Sequence, residues 1–193
     1  AGLSQHADTN VTLETRVADS YNVSDSGLVG LWGLNGDSDD ATGVNDGAWV
    51  NGEDYTDEDG IVGVSGNFGG SNYVNLHNND SLNICQYGTG YTITLWFKHE
   101  MTSQGTTKSF ISYNNDVAAY EYGITTGFNT AGVDKLGYNL CSGTWKYNCG
   151  SGYNDGNWHY LVLKGSNLIV DGETLSCSTG SKYTSYNAIG RGH

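Results

Sequence analysis

The stretch of the chain richest in oxygen ligands is NGDSDDATGVNDG, residues 35–47. Hard cations such as Ca2+ bind where turns bring several carboxylate and amide oxygens together, and the glycine and small polar residues here are typical of a turn. The glutamate that closes an EF-hand at its twelfth position is missing, so this is not an EF-hand. We expect a Ca2+ site formed by five residues: Asp37, Asp39, Asp40, Asn45 and Asp46. A hydrated acidic turn is the alternative, and residues 53–59 are a second candidate cation site.

Residue patterns typical of catalysis are missing from the sequence. Glycan-cleaving enzymes use two carboxylates that face one cleft. No predicted strand carries acidic residues at alternate positions, and the acidic residues of 53–59 lie among the glycine and polar residues of a predicted loop. The chain also has no H-E-x-x-H, no G-x-S-x-G and no glycine-rich phosphate loop. We therefore expect a protein that is not an enzyme.

Aromatic side chains near a turn are candidates for contacts with sugars. The segment SGTWKYN, residues 142–148, places Trp145 and Tyr147 close to a turn, where rings beside amide groups are suited to glycan binding. The chain has 14 tyrosines, however, and a tyrosine on a strand face is also common as ordinary surface or as a subunit contact. Trp145 and Tyr147 are our candidates for glycan contact, and the sequence does not single out a sugar.

The cysteines and the sequons together indicate an extracellular protein. The four cysteines show no C-x-x-C spacing of the kind that binds zinc, and they allow three pairings. We expect Cys141 to pair with Cys149, because these two flank a short predicted hairpin. Cys85 then pairs with Cys177. Three N-glycosylation sequons begin at Asn10, Asn22 and Asn79. The prediction is a secreted or cell-surface glycoprotein with two disulfides.

The charge of the chain excludes two classes of partner. Its 21 acidic and 8 basic residues give a formal net charge of −13, which is the wrong sign for the phosphates of nucleic acid and for anionic membrane surfaces. No apolar run approaches the ~20 residues of a membrane helix, so we expect no membrane insertion. The chain opens at Ala1 without a visible signal peptide, which indicates that a leader was removed or that the chain was trimmed. Divalent cations and neutral glycans are the partners that this charge favours.

Alternation with a period of two recurs along the chain and predicts β-strands. YTITLWFKH, residues 91–99, alternates between apolar and more polar residues. NWHYLVLKG, residues 157–165, is apolar on both faces at its centre, as in a strand in mid-sheet. Further candidates are GLVGLWGL, NYVNL, KSFISYN, AAYEYGIT, KLGYNL and SNLIVDG. Glycine, asparagine and aspartate clusters separate these strands, and no helical stripe is found. We predict one all-β domain, an antiparallel two-sheet sandwich or jelly roll.

Three longer stretches of the chain belong together by their order and spacing. They are GLVGLWGLNGDSDDATGVNDGAWVNG; GNFGGSNYVNLHNNDSLNI with YTITLWFKH; and GNWHYLVLKGSNLIVDGETLS leading to NAIGRG. Over residues 27–192 they resemble a laminin G-like domain of the concanavalin A-like lectin/glucanase superfamily. The resemblance implies a concanavalin A-like jelly-roll sandwich of two curved antiparallel sheets. It also implies that Trp158 and His159 lie on a central strand and that residues 168–172 form a strand and its hairpin turn. Its members serve in extracellular recognition or adhesion more often than in catalysis.

The chain departs from that family pattern at its end. Family members usually continue past the strand that corresponds to NAIGRG into a final strand beside the first one, whereas this chain ends at His193. Residues 27–193 are therefore expected to form a laminin G-like sandwich that lacks the usual last strand. An unfilled edge of this kind is a template for strand pairing. The alternative is that the chain was cut before that strand.

The N-terminal segment has the pattern needed to fill such an edge. Residues 1–26 precede the family resemblance, and the alternation within them predicts an extra N-terminal strand. The expected core-facing side chains of this donor strand are Val11, Leu13, Thr15 and Val17. The strand can fold back within its own chain or insert into the next subunit, and the short joint SDSG, residues 24–27, favours the next subunit. Head-to-tail contacts of that kind do not close, and they generate a fibre.

Together these features predict a secreted, non-catalytic structural or adhesive protein. Its expected partners are copies of itself, which assemble head to tail by N-terminal strand donation into an extracellular filament or matrix. The alternative is a monomeric, calcium-dependent, lectin-like module that binds extracellular glycans and folds its N-terminal strand back within the chain.

Overall fold

The computed structural model describes ten segments of the chain: 27–56, 60–69, 71–77, 79–87, 90–100, 108–113, 122–126, 135–141, 144–180 and 188–189. Within them lie fourteen strands, numbered in chain order: β1 Ala48–Val50, β2 Tyr55–Thr56, β3 Ser65–Gly66, β4 Tyr73–Asn75, β5 Thr92–Lys98, β6 Lys108–Tyr113, β7 Tyr122–Thr126, β8 Leu136–Leu140, β9 Trp145–Cys149, β10 Trp158–Lys164, β11 Asn167–Val170, β12 Glu173–Thr174, β13 Ser178–Gly180 and β14 Ala188–Ile189. Two short 3-10 helices, Asp80–Leu82 and Ile84–Tyr87, lie between β4 and β5.

The described strands form three sheets. The largest has eight strands in the order β1-β4-β14-β6-β7-β8-β9-β13, and the second has four strands in the order β12-β11-β10-β5. β2 and β3 make a separate two-stranded sheet. Every pairing between described strands is antiparallel. The prediction of an all-β antiparallel fold is confirmed.

The two larger sheets share a hydrophobic core, as the sheets of a β-sandwich do. The four-stranded sheet contributes Leu161, Leu163 and Leu168, each 0% exposed, and the eight-stranded sheet contributes Ile124 and Leu136 among others. Burying one side chain of this size contributes about 1.5–3 kcal/mol relative to leaving it in water. A second core cluster includes Val74, Leu82, Tyr113 and Tyr122.

Most of the predicted strands are present in the structure. β4, β5, β6, β7, β8, β10 and β11 overlap seven of the predicted stretches. The exception is GLVGLWGL, residues 27–34, which pairs with the described residues only through an isolated bridge between Trp32 and Asp40. The Trp32 indole N–H donates to the carbonyl oxygen of Asn45 at 2.9 Å, and the ring packs against the second core cluster. Side-chain contacts and a backbone hydrogen bond from the Ala41 N–H to the Leu31 carbonyl oxygen, and not a strand ladder, therefore hold this segment.

The two faces of β10 differ in burial. β10 lies inside the four-stranded sheet, as predicted, and the hairpin turn after Val170 leads into β12, also as predicted. Leu161 points into the core, whereas Tyr160 is 36% exposed on the opposite face. The outer face of β10 is partly exposed, because Tyr160 and its cross-strand partner Trp96 face away from the core.

All four cysteines form disulfides, but their pairing differs from the prediction. Cys85 bonds to Cys141 and Cys149 bonds to Cys177, with Cα separations of 5.2 and 4.4 Å. Cys149 lies opposite Leu136, which is the end of the β8–β9 pair that is remote from Cys141. β9 also pairs with β13, which follows Cys177 directly. The expected Cys141–Cys149 and Cys85–Cys177 bonds are therefore wrong, since the first pair lies at opposite ends of two adjacent strands.

Candidate functional site

The acidic turn of residues 37–46 is held together by its own hydrogen bonds. Asp40 is 3% exposed. Its carboxylate accepts hydrogen bonds from the backbone N–H groups of Leu31 (2.8 Å), Thr42 (3.0 Å) and Asn45 (3.0 Å), and from the Thr42 hydroxyl. Burial opposes ionisation of Asp40, but these hydrogen bonds outweigh it and hold the pKa of the carboxyl below its ordinary value. Both oxygens of Asp40 thus already serve as acceptors within the turn.

The other predicted Ca2+ ligands are divided between buried and exposed positions. The Oδ1 of Asn45 accepts from the Ser81 hydroxyl at 2.8 Å, and the Oδ1 of Asp46 accepts from the Asp40 N–H at 3.0 Å. Asn45 is buried, whereas Asp37, Asp39 and Asp46 are exposed. Across the described residues, no group of three or more His, Cys, Asp or Glu side chains is arranged to hold a metal ion. The Ca2+ site stays a prediction.

The second acidic candidate, residues 53–59, borders a polar depression of about 340 Å³. Its lining residues are Asn51, Gly52, Glu53, Asp54, Ser71 and Asn72. The Oδ2 of Asp54 accepts from the Nδ2 of Asn67 at 3.0 Å. Residues 57–59 lie outside the described part of the chain. Because the lining is polar and contains no aromatic ring, the geometry singles out no ligand for this depression.

The two residues expected to contact a glycan lie in β9. Trp145 is 2% exposed, and its ring lies over Gly123 of β7, which is two strands away in the sheet. An indole buried in this way has no face available for a sugar, so the expectation for Trp145 is wrong. Tyr147 is half-buried opposite Ser178 of β13. Its contact with a glycan stays a prediction.

The three sequons differ in where they lie. Asn10 and Asn22 lie outside the described residues. The same is true of the expected donor-strand side chains Val11, Leu13, Thr15 and Val17. Asn79 caps the first 3-10 helix, since its Oδ1 accepts from the Ser81 N–H at 3.0 Å, and its Nδ2 donates to the Val44 carbonyl at 3.4 Å. Glycosylation at the three positions stays a prediction.

A histidine between two aspartates lies at the start of β10. The Nδ1 of His159 is 2.7 Å from the Oδ2 of Asp171, and its Nε2 is 3.0 Å from the Oδ1 of Asp155. Both ring nitrogens are thus occupied by carboxylates, so the imidazole has no free nitrogen with which to move a proton for a substrate. This cluster was not among the residues predicted from the sequence. The predicted hairpin could have revealed it. Its antiparallel register sets residue 161 opposite residue 170 and therefore brings Asp171 beside β10.

The cluster shifts the pKa of all three groups. Burial disfavours the charged imidazole, but the hydrogen bonds and charges of Asp171 and Asp155 outweigh it and raise the pKa of His159 above its ordinary value. Hydrogen bonds from Asn157 and His159 lower the pKa of Asp155 to about 2. Burial opposes ionisation of Asp171, but hydrogen bonds from His159 and the Tyr160 N–H outweigh it and lower its pKa. The three groups therefore stabilise one another when all are charged.

We expect the His159 cluster to contribute most to the free energy of unfolding between about pH 4 and about pH 6.5. The raised pKa of His159 stabilises the fold fully below the unfolded value, and this contribution is lost as the pH rises through the folded value. The lowered pKa values of Asp155 and Asp171 stabilise the fold above their unfolded values, and this contribution is lost as the pH falls. His159→Gln should abolish the alkaline loss, which we expect to be at most about 1 kcal/mol because both carboxylates are exposed and solvent screens the interaction.

Urea unfolding between about pH 4 and about pH 9 measures this dependence. His77→Gln is the matched control, because His77 is exposed and lies far from β10 in the chain. The control should keep the alkaline loss of the wild type. A wild-type curve that stays flat through the alkaline range would contradict the assignment to His159.

Along the outer edge of β5, backbone N–H and C=O groups point away from the four-stranded sheet. The C=O of Tyr160 accepts from the Asp171 N–H at 3.0 Å, and the N–H of Tyr160 donates to the Asp171 carboxylate, so both groups face β11. Alternate residues of an antiparallel strand direct these groups to opposite sides. The next residue of β10 therefore faces β5, where its partner is Leu95. The N–H and C=O groups of Thr94 and Trp96 consequently point to the outer edge, with which no described strand pairs. We call this the β5 edge.

Coverage of the core decreases towards the β5 edge. Leu161 and Leu163 of β10 are 0% exposed. Their partners on β5, Leu95 and Ile93, pack against the same core but are only partly buried. Covering such side chains is favourable by about 25 cal/mol per Å² of apolar surface. The β5 edge therefore combines outward-pointing backbone groups with incompletely covered core side chains.

An exposed aromatic pair lies beside the β5 edge on the outer face. Trp96 is 49% exposed and Tyr160 is 36% exposed. They are cross-strand partners with ring centroids 4.9 Å apart and planes at 42°. Lys98 and Lys164 are exposed on the same face. The alternation of residues 91–99 placed Trp96 opposite the apolar face, and this was the signal that the sequence analysis did not use.

In the part of the chain that the structure describes, the helices are single short turns, and none has the length or apolar character that a membrane crossing requires.

No family model, no curated protein and no solved structure matches the chain. The resemblance of residues 27–192 to laminin G-like domains therefore stays a prediction.

Proposed function

We propose that the protein is a structural subunit that assembles with copies of itself. Residues 9–23 of one copy add as a strand to the β5 edge of the next copy, so that each subunit donates once and accepts once. Addition of a strand to an exposed sheet edge is a common mode of recognition. Because the contact joins two different surfaces, it runs head to tail, and it extends into a filament when the rotation between copies does not close a ring.

The observation that carries this proposal is the β5 edge. The backbone groups of Thr94 and Trp96 point outward there, and the core side chains Ile93 and Leu95 are only partly buried. A strand laid along this edge extends the hydrogen-bond ladder and covers both side chains. An open edge without an occupant is a site of non-specific pairing. A dedicated donor strand would pair with the outward-pointing backbone groups and would also cover the two side chains.

The pattern of the N-terminal segment supports its role as the donor. Apolar or β-branched residues occupy alternate positions: Val11, Leu13, Thr15 and Val17. The residues between them are polar: Thr12, Glu14 and Arg16. A strand with this alternation turns its apolar side towards Ile93 and Leu95 and its polar side towards water. A shift by one residue inverts the two sides, so the pattern specifies which face enters.

The proposal includes an extracellular setting and a finer description of the fold. The two disulfides support an oxidising compartment, in which such bonds persist. The fold we propose is a concanavalin A-like jelly-roll sandwich of the laminin G-like type, used for adhesion or matrix formation and not for catalysis. Calcium-dependent glycan binding by a monomer is the alternative, and no described contact favours it.

Deleting residues 1–24 tests the proposal. We expect the wild type to form a broad range of large species by size-exclusion chromatography with light scattering, and filaments by negative-stain imaging. The truncated chain should be a soluble monomer of lower stability, because it neither donates a strand nor has its own edge covered. A full-length variant with Leu13→Asp and Val17→Asp should also remain monomeric, because its donor strand would bring two carboxylates to the core.

Two results would overturn the proposal. The first is normal assembly of the truncated chain. The second is a wild type that remains monomeric at every concentration while the deletion destabilises it, since the N-terminal strand then folds back within its own chain.

A further inference from the structure

We propose that the acidic turn of the donor copy, residues 37–46, docks on the outer face of the acceptor's four-stranded sheet, next to the strand that it donates. The inference rests on the proposed function, in which residues 9–23 of the donor occupy the β5 edge. It assigns an occupant to an exposed apolar face and a role in assembly to the acidic turn.

The outer face, which is the side of the four-stranded sheet that points away from the core, is largely apolar. Trp96 is 49% exposed and Tyr160 is 36% exposed, and the half-buried pair Val162 and Ile169 lies beside them. Lys164 is exposed at one end of the same face. Among the described strand residues that alternate onto this face, none is aspartate or glutamate.

Assembly has to bring strongly acidic copies together. Each copy carries a formal net charge of −13, and such bodies repel each other. A face whose strands carry no carboxylate is therefore where a second copy approaches at the lowest electrostatic cost, and a lysine there attracts acidic groups. Lys98 on this face already interacts within the protein, so Lys164 is the cation that we assign to the contact.

The direction of the donor strand brings the body of the donor to the Lys164 end of this face. Every pairing between described strands is antiparallel. An antiparallel donor covers all three core-facing residues of β5 when the opposed residues are Val17 and Ile93, Thr15 and Leu95, and Leu13 and Phe97. The donor then leaves β5 past Thr92, whose partner on β10 is Lys164. The body of the donor begins at Gly27, nine residues further on, which reach at most about 30 Å.

The acidic turn is fastened to the first residues of that body. The Leu31 N–H donates to the Asp40 carboxylate at 2.8 Å, and the Nδ2 of Asn45 donates to the Val29 carbonyl oxygen at 2.8 Å. The backbone bridge between Trp32 and Asp40 adds a third contact. The turn is therefore held at the start of the body, which is the part nearest to the donated strand along the chain.

The exposed groups of the turn complement the outer face. Asp37, Asp39 and Asp46 are exposed, and Val44, which lies between the last two in sequence, is 58% exposed. Docking sets the carboxylates against Lys164 and lays the Val44 side chain on the apolar part of the face. Complementary charges of this kind fix the orientation of two partners more than they add affinity.

Charge reversal in the full-length chain tests the contact. Lys164→Glu should raise the critical concentration for assembly, measured by light scattering, about three- to tenfold, because an attraction becomes a repulsion. Adding Asp39→Lys should restore assembly, since every copy then carries the reversed pair at the wild-type net charge. The hydrogen bonds of the turn use the carboxylates of Asp37, Asp40 and Asp46, so Asp39→Lys leaves them in place.

A second double variant is the matched control. Lys164→Glu with Glu53→Lys has the same net charge as the rescued chain, but it alters an exposed carboxylate outside the turn. It should remain as impaired as Lys164→Glu alone. Equal rescue by Asp39→Lys and Glu53→Lys would overturn the docking, because only net charge would then matter. Wild-type assembly of Lys164→Glu, or a loss that Asp39→Lys does not rescue, would overturn it as well.

The Leu13→Asp and Val17→Asp variant, measured alongside, separates this inference from the proposed function. If that variant fails to assemble while Lys164→Glu assembles as the wild type does, strand donation stands and the docked turn is wrong. If that variant also assembles, the proposed function fails and the docked turn fails with it.

Discussion

Replacing Thr94 with proline is expected to abolish assembly while leaving the fold intact. The N–H of Thr94 points to the β5 edge, so its loss removes no hydrogen bond to β10, and proline is tolerated in edge strands when the missing N–H faces outward. With a donor strand in place, the same change removes a ladder hydrogen bond and sets the proline ring against the incoming backbone. Thr94→Val keeps the N–H and should assemble normally. Leu95→Pro removes a bond to Leu161 and should unfold the protein.

Mixing two variants tests separately which part of the chain donates the strand and which part accepts it. The Thr94→Pro chain keeps its donor strand, and the chain without residues 1–24 keeps its acceptor edge. Neither should polymerise alone, but together they should form a one-to-one complex and nothing larger, as measured by light scattering. Filaments formed by Thr94→Pro alone would contradict the β5 edge as the acceptor, even if the truncated chain fails to assemble.

Local patterns predicted most of the strands because alternation depends on neighbours in the sequence. β5 and β10 lie within the stretches that alternate, and the turn at Gly165, with φ of 56°, joins β10 to β11 in the register Leu161 opposite Val170. The pairing of the disulfides was not predictable in this way. It depends on β13 lying beside β9, where Ser178 pairs with Tyr147, and nothing local to either strand indicates that contact.

The exposure of the aromatic residues could likewise be predicted only from the arrangement of the sheets. Trp145 and Trp96 both lie in strands, yet Trp145 is 2% exposed and Trp96 is 49% exposed. A strand's sequence shows that its faces differ, but the opposing layer decides which face is covered. The β5 edge is a further case, because alternation is the same in an edge strand and in a central one. Only the sheet order shows that β5 is terminal among the described strands.

Removing either disulfide is expected to lower the free energy of unfolding by several kcal/mol. Cys85 and Cys141 are 56 residues apart, and Cys149 and Cys177 are 28 residues apart. Loop closure in the unfolded chain predicts losses of about 4 kcal/mol for the longer loop and about 3.5 kcal/mol for the shorter one. Alanine is the suitable replacement, because each pair has one buried member, Cys85 or Cys149, where serine would bring a polar hydroxyl into the core.

The disulfide whose removal costs more stability shows whether loop entropy or packing dominates its contribution. Doubling a loop is worth about 0.6 kcal/mol, so entropy makes the Cys85→Ala, Cys141→Ala variant the less stable one. Packing favours the opposite order only weakly, because Cys149 is 0% exposed and Cys85 is 8% exposed. We therefore expect the longer loop to dominate and the melting temperature of either variant to fall by about 10 °C. Urea unfolding measures the losses, and peptide mapping without reductant checks the pairing. Losses below about 1 kcal/mol, or a peptide that joins Cys141 to Cys149, would contradict this prediction.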